Sequence, residues 1–555
     1  MAETSPTPIP IPIRLSNDRS SQSVIREQTS NEFVFAVVGH IGAGVSTIAK
    51  DLKKELEKSD FQVELLKSKD VITKWAADHG KPVPEPAKGI DYVTALQDLG
   101  DEMRRTDQAA VANALIRTIR TVRAKQRNIS VTKNLPIEPD GKRRAYILDS
   151  IRHPMEVQLL RQVYQHAFTL VGVVCNEDRR VERLSTKLHD VGRDNAKSLM
   201  KRDADAPEKY GQRVADAFHL ADYFIDNSEN RLIEQTANTN WTVAEKLSRL
   251  TRIILRKEVV RPTSHEMAMH IAYGAKVRSA CMSRQVGAAI LDHNGNVLAT
   301  GTNEVPRAGG GVYGSTFEEE PKSGEHRCIY RPLQKDDGTA ITPYCSNTQE
   351  QGRIVSDVVS SVITADLLAD REDLTPEQKN GFKEILASCQ DPLKKVIAKS
   401  PIGALLEFSR ALHAEMDALL SAGREGKSTQ GARMYVTTYP CHYCARHIVG
   451  AGIDEVQYIE PYPKSKALQL HRDSISESPP GWEPPSKGGA KVLFHPFTGV
   501  APRMYMRAFE KDRELKDKQT GTLHIQDAEW GSAWDVSRVS YPQLEALLEA
   551  SDAPK

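Results

Sequence analysis

Three side chains able to ligate a metal, His413, Cys441 and Cys444, are split between two short segments that any fold of this chain must bring together. His413 opens the run His413-Ala414-Glu415. The cysteines lie in Pro440-Cys441-His442-Tyr443-Cys444, and Pro440 stands 25 residues after Glu415. One imidazole and two thiolates fill three tetrahedral positions on zinc and leave the fourth for water, whereas a structural zinc takes four protein ligands. Glu415, two residues past the histidine, can sit beside the ion without ligating it. It can then take a proton from the attacking water and return it to a ring nitrogen and a leaving amine. Cysteines near a helix start gain thiolate character from the helix dipole.

The flanking sequence places these segments. Thr263 with Glu266 forms a capping box that opens a helix through HEMAMHIAYGAKVRS. SRQVGAAILDHNGNVLATGTNEVP (283–306) holds two β-rich runs around Asn294-Gly295, the signal of a tight hairpin. FSRALHAEMDALLSAG (408–423) reads as a helix and MYVTTYP (434–440) as a strand. CHYCARHIVGAG (441–452) reads as a helix start and EVQYIE (455–460) as a further strand. In outline this is an α/β sandwich.

H-A-E followed by P-C-x-x-C is the zinc deaminase signature. SRQVGAAI (283–290) and GTNEVP (301–306) resemble elements of deoxycytidylate deaminases, a resemblance spanning about 264–510 and including FHPFTGVAPRMY (494–505). It implies hydrolytic deamination of cytosine to uracil, with Asn303 on the sugar or base, Ser283 or Arg284 near phosphate, and Tyr439 stacked on the pyrimidine. Plainer readings stand beside these: Asn303 closing a turn, Arg284 a solvated charge, Tyr439 strand core. The insert at about 307–400 carries His326, Cys328 and Cys345, either ordinary loop residues or, by the same resemblance, a second zinc site. Its later half reads as helical.

The first half of the chain has a different pattern. FVFAVV (33–38) is a buried-strand run followed directly by GHIGAGVST, and a helix is expected from Ser46. Gly39, Gly42, Gly44, Val45, Ser46 and Thr47 occupy the frame of a phosphate-binding loop, but Val45 stands where the pattern requires Lys. AYILDS (145–150) ends near Asp149, where an acidic metal partner belongs, and FTLVGVVC (168–175) gives a third strand. DSIRHPMEV, the arginines 179, 180 and 183, and ADYFIDNS resemble segments of nucleoside monophosphate and dephospho-coenzyme-A kinases over about 31–255. Val45 cannot set an ammonium against the β- and γ-phosphates, so the loop is expected to bind ATP, GTP or a deoxynucleotide with Mg²⁺ as a regulator rather than transfer phosphate.

The fold class expected is therefore α/β: a P-loop kinase-like parallel-sheet domain (31–255), then a cytidine-deaminase-like α/β/α sandwich (256–510). A flexible lead-in (1–30) and a C-terminal extension (511–555) flank them. A chain of 555 residues is too long for one core. Lys plus Arg number 75 against 74 for Asp plus Glu, so no global field draws the chain to polynucleotide or an anionic membrane. Seven cysteines and no apolar span of membrane length point to a reducing cytoplasm.

A kinase-like domain without its loop lysine, joined to a deoxycytidylate deaminase domain, resembles the bacterial phage-defence deaminases known as AvcD or DcdV. The resemblance implies action on dCTP and dCMP, depletion of deoxycytidine nucleotides during infection, and restraint by a small antitoxin RNA. A homo-oligomer is expected. A polynucleotide-editing deaminase and a housekeeping dCMP deaminase supplying dUMP are the alternatives.

Overall fold

The computed structural model describes residues 30–523 apart from 86–88, 134, 189–191, 207, 234, 257, 315–332, 335–336, 343, 366, 406–407, 463 and 512–514, together with Pro542 and Glu545. Two units make up the chain, one of residues 1–261 with 498–555 and one of residues 262–497.

In the first unit each apolar run becomes a strand of one sheet. β1 (Glu32–Val38) is buried along its length. α1 (Val45–Glu57) follows, burying Val45, Ile48, Ala49, Leu52 and Leu56 on one face at the three-to-four spacing that a helix on a sheet requires. β2 (Gln62–Lys67), β3 (Arg144–Ile151), β4 (Phe168–Val174) and β5 (Tyr223–Asp226) complete a parallel order β5-β4-β1-β3-β2. The Gly-rich loop thus leaves the carboxyl end of the central strand. Two of its glycines are at positive φ, Gly42 at 84° and Gly44 at 89°. A Cβ on Gly44 would come within 2.4 Å of Asn227 Nδ2, so no other residue fits there without displacing that side chain.

The second unit opens with α2 (Ser264–Lys276), capped reciprocally by Thr263 and Glu266 as read from sequence. β6 (Gly287–Leu291) and β7 (Val297–Thr302) form the expected antiparallel hairpin, turning through Gly295 at φ 86°. The helical half of the insert consists of α3 (Ser346–Thr364), α4 (Pro376–Ser388) and α5 (Gln390–Ala398). Then come α6 (Ala414–Arg424), β8 (Arg433–Thr438), α7 (His442–Gly450), β9 (Glu455–Glu460), β10 (Ile475–Ser476) and β11 (Val492–Pro496). The sheet order is β10-β11-β9-β8-β6-β7. A Cβ on Gly287 would strike Ala272 O of α2 at 2.0 Å, and one on Gly301 would strike Ala414 O of α6 at 2.1 Å. Gly301 pairs with Ala288, the neighbour of Gly287, so the two glycines face opposite sides and seat one helix on each.

Three expectations are corrected. The helix read over 408–423 begins only at Ala414, because Leu412 N–H donates to Glu304 O at 3.0 Å and His413 is extended (φ −77°, ψ 154°). Residues 498–510, expected in the second domain, fold with the first. There β12 (Gly499–Val500) pairs antiparallel with β5, and α8 (Pro502–Phe509) is tied down by Arg507 donating to Phe168 O and Thr169 Oγ1. The first boundary lies at 261/262 rather than 255/256. Among the described residues no helix is long and apolar enough to cross a membrane.

Candidate active site and a second cleft

The starts of α6 and α7 bring the metal donors of the second unit together. Cys441 caps α7, its Sγ accepting Cys444 N–H at 3.5 Å. His413, in the cap position of α6, places Nδ1 3.2 Å from Cys441 Sγ and 3.4 Å from Cys444 Sγ. Both cysteines are buried. Among the described residues this is the single cluster of three or more His, Cys, Asp or Glu whose ligating atoms converge, here within 4.8 Å. A soft nitrogen and two sulfurs, held rigidly by two helix starts, suit zinc. The Cys444 thiol donates to Cys441 and, with His413, draws the Cys441 thiol far below its ordinary range against the opposing effect of burial; Cys444 moves the other way.

Glu415 lies in the first turn of α6 and is 4% exposed. Burial, then the negative charge of Cys441, pushes its carboxyl up to about 7, against the pull of His413. A carboxyl titrating near neutrality can both accept and return a proton. It lines a cavity of about 370 Å³ together with His413 and Cys441, and every candidate substrate contact (Asn303, Ser283, Arg284, Tyr439) lines the same cavity.

The side chains there do specific work. Asn303 Oδ1 accepts Val286 N–H at 2.6 Å and its Nδ2 donates to Arg284 O at 2.5 Å, so this amide pins the cavity wall of residues 284–286. Tyr439 OH donates to Glu477 at 2.8 Å, and its ring meets Tyr458 edge-on at 4.8 Å. Arg284 is half-exposed; its Nη1 stands 3.8 Å from Glu460 Oε2 and its guanidinium 5.8 Å from the Tyr462 ring. Glu460 also takes Lys276 Nζ at 2.8 Å. Of the second-zinc candidates, His326 and Cys328 lie outside the described residues. Cys345 is on the cavity wall, 3.9 Å from Ser283 Oγ, and belongs to no metal cluster among the described residues.

Three further residues position this site, Gly301 of the GTNEVP element and two acids that the sequence did not single out, Asp417 and Glu460. Gly301 lets α6 approach β7, Asp417 Oδ2 accepts Thr302 N–H at 3.0 Å to lock that approach, and Glu460 tethers Arg284. Only Gly301 carried a signal, an isolated glycine within a strand pattern.

Residues 262–460 match the family profile of the cytidine and deoxycytidylate deaminase zinc-binding region. The second unit is a dCMP deaminase-type cytidine deaminase domain. The chain is accordingly a hydrolase of the deoxycytidylate deaminase kind. The deaminase domain is similar to the deoxycytidylate deaminase of Enterobacteria phage T4, 29% identical over 217 residues that are 39% of this chain and 80% of the phage protein. A shorter stretch of 77 residues is 49% identical to the deoxycytidylate deaminase of Saccharomyces cerevisiae, covering 12% of this chain and 24% of the yeast protein. Among solved structures, dCMP deaminase from the cyanophage S-TIM5 aligns with 43% of this chain and all of its own at 18% identity, TM-score 0.20. The assignment rests on the family match rather than on that superposition.

The first unit has its own cleft, about 650 Å³, at the Gly-rich loop. Gly42, Gly44, Val45, Ser46 and Thr47 line it, whereas Gly39 and Asp149 do not. Asp149 is buried, and its Oδ1 accepts Ser150 Oγ–H at 2.9 Å. Val45 is buried in the helix face. Burial, then the charges of Arg180 and Arg152, lowers His40 to about 3, so its ring is neutral.

Proposed function

We propose that the chain deaminates free deoxycytidine nucleotides, dCMP and dCTP, to the uracil nucleotide and ammonia, with a nucleotide bound at the first unit as regulator. The observation that carries this reading is the convergence of His413, Cys441, Cys444 and Glu415 on one cavity within a deaminase-type domain.

His413, Cys441 and Cys444 would hold zinc, which when bound activates water as a Lewis acid. Glu415 accepts a proton from the attacking water and delivers it to the pyrimidine ring nitrogen. It then takes the remaining hydroxyl proton from C4 and passes it to the exocyclic amine; the C4–N bond breaks, the C4 carbonyl forms and ammonia leaves, so that water and cytosine balance uracil and ammonia. Its raised carboxyl suits both halves of that exchange. Arg284, held loosely by Glu460 at the cavity wall, is free to swing onto a 5′-phosphate. Tyr439, tied to Glu477, forms a fixed wall for the base.

The defence role, depletion of the deoxycytidine pool during phage infection under restraint of a small RNA, follows from the resemblance to AvcD or DcdV and belongs to the same proposal. So do the homo-oligomer and the cytoplasmic location. The test is incubation of zinc-replete protein with dCMP, dCTP, CTP and a cytosine-containing single strand, with separation of the uracil products. Conversion of dCMP or dCTP supports the reading; conversion of the strand alone would replace it with polynucleotide editing.

A further inference from the structure

At the Gly-rich loop the N–H groups of Gly42, Gly44, Val45 and Ser46 have no acceptor among the described residues, and all four residues line the cleft. Ile41 N–H is different. It donates to Asp203 Oδ2 at 2.7 Å. Asp203 lies on the helix of residues 193–204, only 1% exposed, and its other oxygen holds the Arg152 guanidinium. Arg152 lines the cleft and reaches Gly39 O at 3.4 Å. A carboxylate that takes a loop N–H and a guanidinium together makes the contacts that a phosphate oxygen makes at such a loop.

Besides Arg152, the cationic residues that line the cleft are Arg183 and Lys187. Val45 supplies none. Arg183 Nη1 stands 3.8 Å from where a Cβ of Gly44 would be, but it is also bonded to Cys175 Sγ at 3.4 Å. Lys187 lies on the wall beyond it.

We infer that Asp203 is a built-in competitor for phosphate at this loop, occupying Ile41 N–H and Arg152 so that a phosphate-bearing ligand is held weakly until Arg152 is released. The inference rests on the reading of the first unit as a nucleotide-binding unit, and it names the element that sets the affinity. Asp203→Asn keeps an acceptor for Ile41 N–H, removes the negative charge and frees Arg152.

The experiment is calorimetric titration of the full chain with inorganic tripolyphosphate. Ser46→Glu serves as the control for location, because a carboxylate at the helix start repels phosphate while favouring the helix. Asp203→Asn is expected to bind at least about tenfold tighter than wild type, a charge-assisted contact regained. Arg152→Gln in the Asp203→Asn background should return the affinity to within about twofold of wild type, and Ser46→Glu should abolish binding in every background. Asp203→Ser carries the same expectation if the amide variant folds poorly. Wild-type binding that Ser46→Glu abolishes but Asp203→Asn does not strengthen overturns the role of Asp203 and leaves the nucleotide reading standing. A gain that survives Arg152→Gln overturns the release of Arg152. Absence of Ser46-sensitive binding in both wild type and Asp203→Asn overturns the nucleotide reading itself.

Discussion

Arg123 Nη1 lies 2.6 Å from Glu545 Oε2, across 422 positions of sequence. Both groups are fully buried, Glu32 Oε2 meets Arg123 Nη2 at 2.8 Å, and Tyr164 OH donates to Glu545 Oε1 at 2.6 Å. The C-terminal segment therefore supplies an internal counter-charge to the first unit. Glu545→Ala removes the buried carboxylate that Arg123 and Tyr164 share. The first unit should lose about 3 kcal/mol, seen as a lower urea midpoint with deaminase turnover unchanged at low urea. An unchanged midpoint would contradict the burial of this pair.

Gly301→Ala should damage the active site without touching a catalytic group. The added methyl meets Ala414 O at 2.1 Å, between His413 and Glu415, and backbone cannot give way cheaply. We expect a loss of about 2 kcal/mol in stability and reduced zinc content on metal analysis. Full zinc occupancy with normal stability would show that α6 can shift without cost.

How much of this was legible in advance depended on whether the signal was local. The capping box at Thr263 and Glu266, the Asn294-Gly295 hairpin and the β-branched strand runs declare themselves within a few residues, and each formed as read. The convergence of His413, Cys441 and Cys444 was legible because ligand chemistry constrains both residue type and spacing. Glu460 and Asp417 gave no such sign, since an acid at the end of a strand or on a helix face has many uses and its partner is set only by tertiary packing. The return of residues 498–510 to the first unit was hidden for the same reason: nothing in FHPFTGVAPRMY shows that Val500 will pair with Tyr223. Asn303 and Tyr439 line the same cavity as His413 and Glu415, and the hydrogen bonds that occupy them come from residues distant in sequence.

The tether on Arg284 predicts a split in kinetic constants. Arg284→Ala should raise KM for dCMP by roughly tenfold to a hundredfold, the worth of a charge-assisted hydrogen bond, with a smaller effect on deoxycytidine, which has no phosphate. Glu460→Gln should act in the same direction more weakly, since it loosens the guanidinium and Lys276 without removing either. Equal losses for nucleotide and nucleoside would remove Arg284 from phosphate recognition.

Acid should weaken the second unit through Glu455. Burial pushes this carboxyl up, but His495 at 2.8 Å, Gln457 at 2.6 Å and the charge of Arg433 outweigh it and hold the group at about 2, below its ordinary 4.5. A folded value below the unfolded one gives stability that is complete above about pH 4.5 and fades as pH falls toward 2, on the order of 3 kcal/mol. Urea unfolding between pH 6 and pH 2.5 should fall more steeply for wild type than for Glu455→Gln; parallel curves would contradict the assignment.

In the proposed reaction Glu415 moves the proton at a zinc site formed by His413, Cys441 and Cys444. The most direct measurement pairs zinc content with the rate of dUMP formation from dCMP in wild type and Glu415→Gln. Equal zinc in the two proteins and a rate lower by about a thousandfold in the variant are expected. Comparable rates at equal zinc would contradict it.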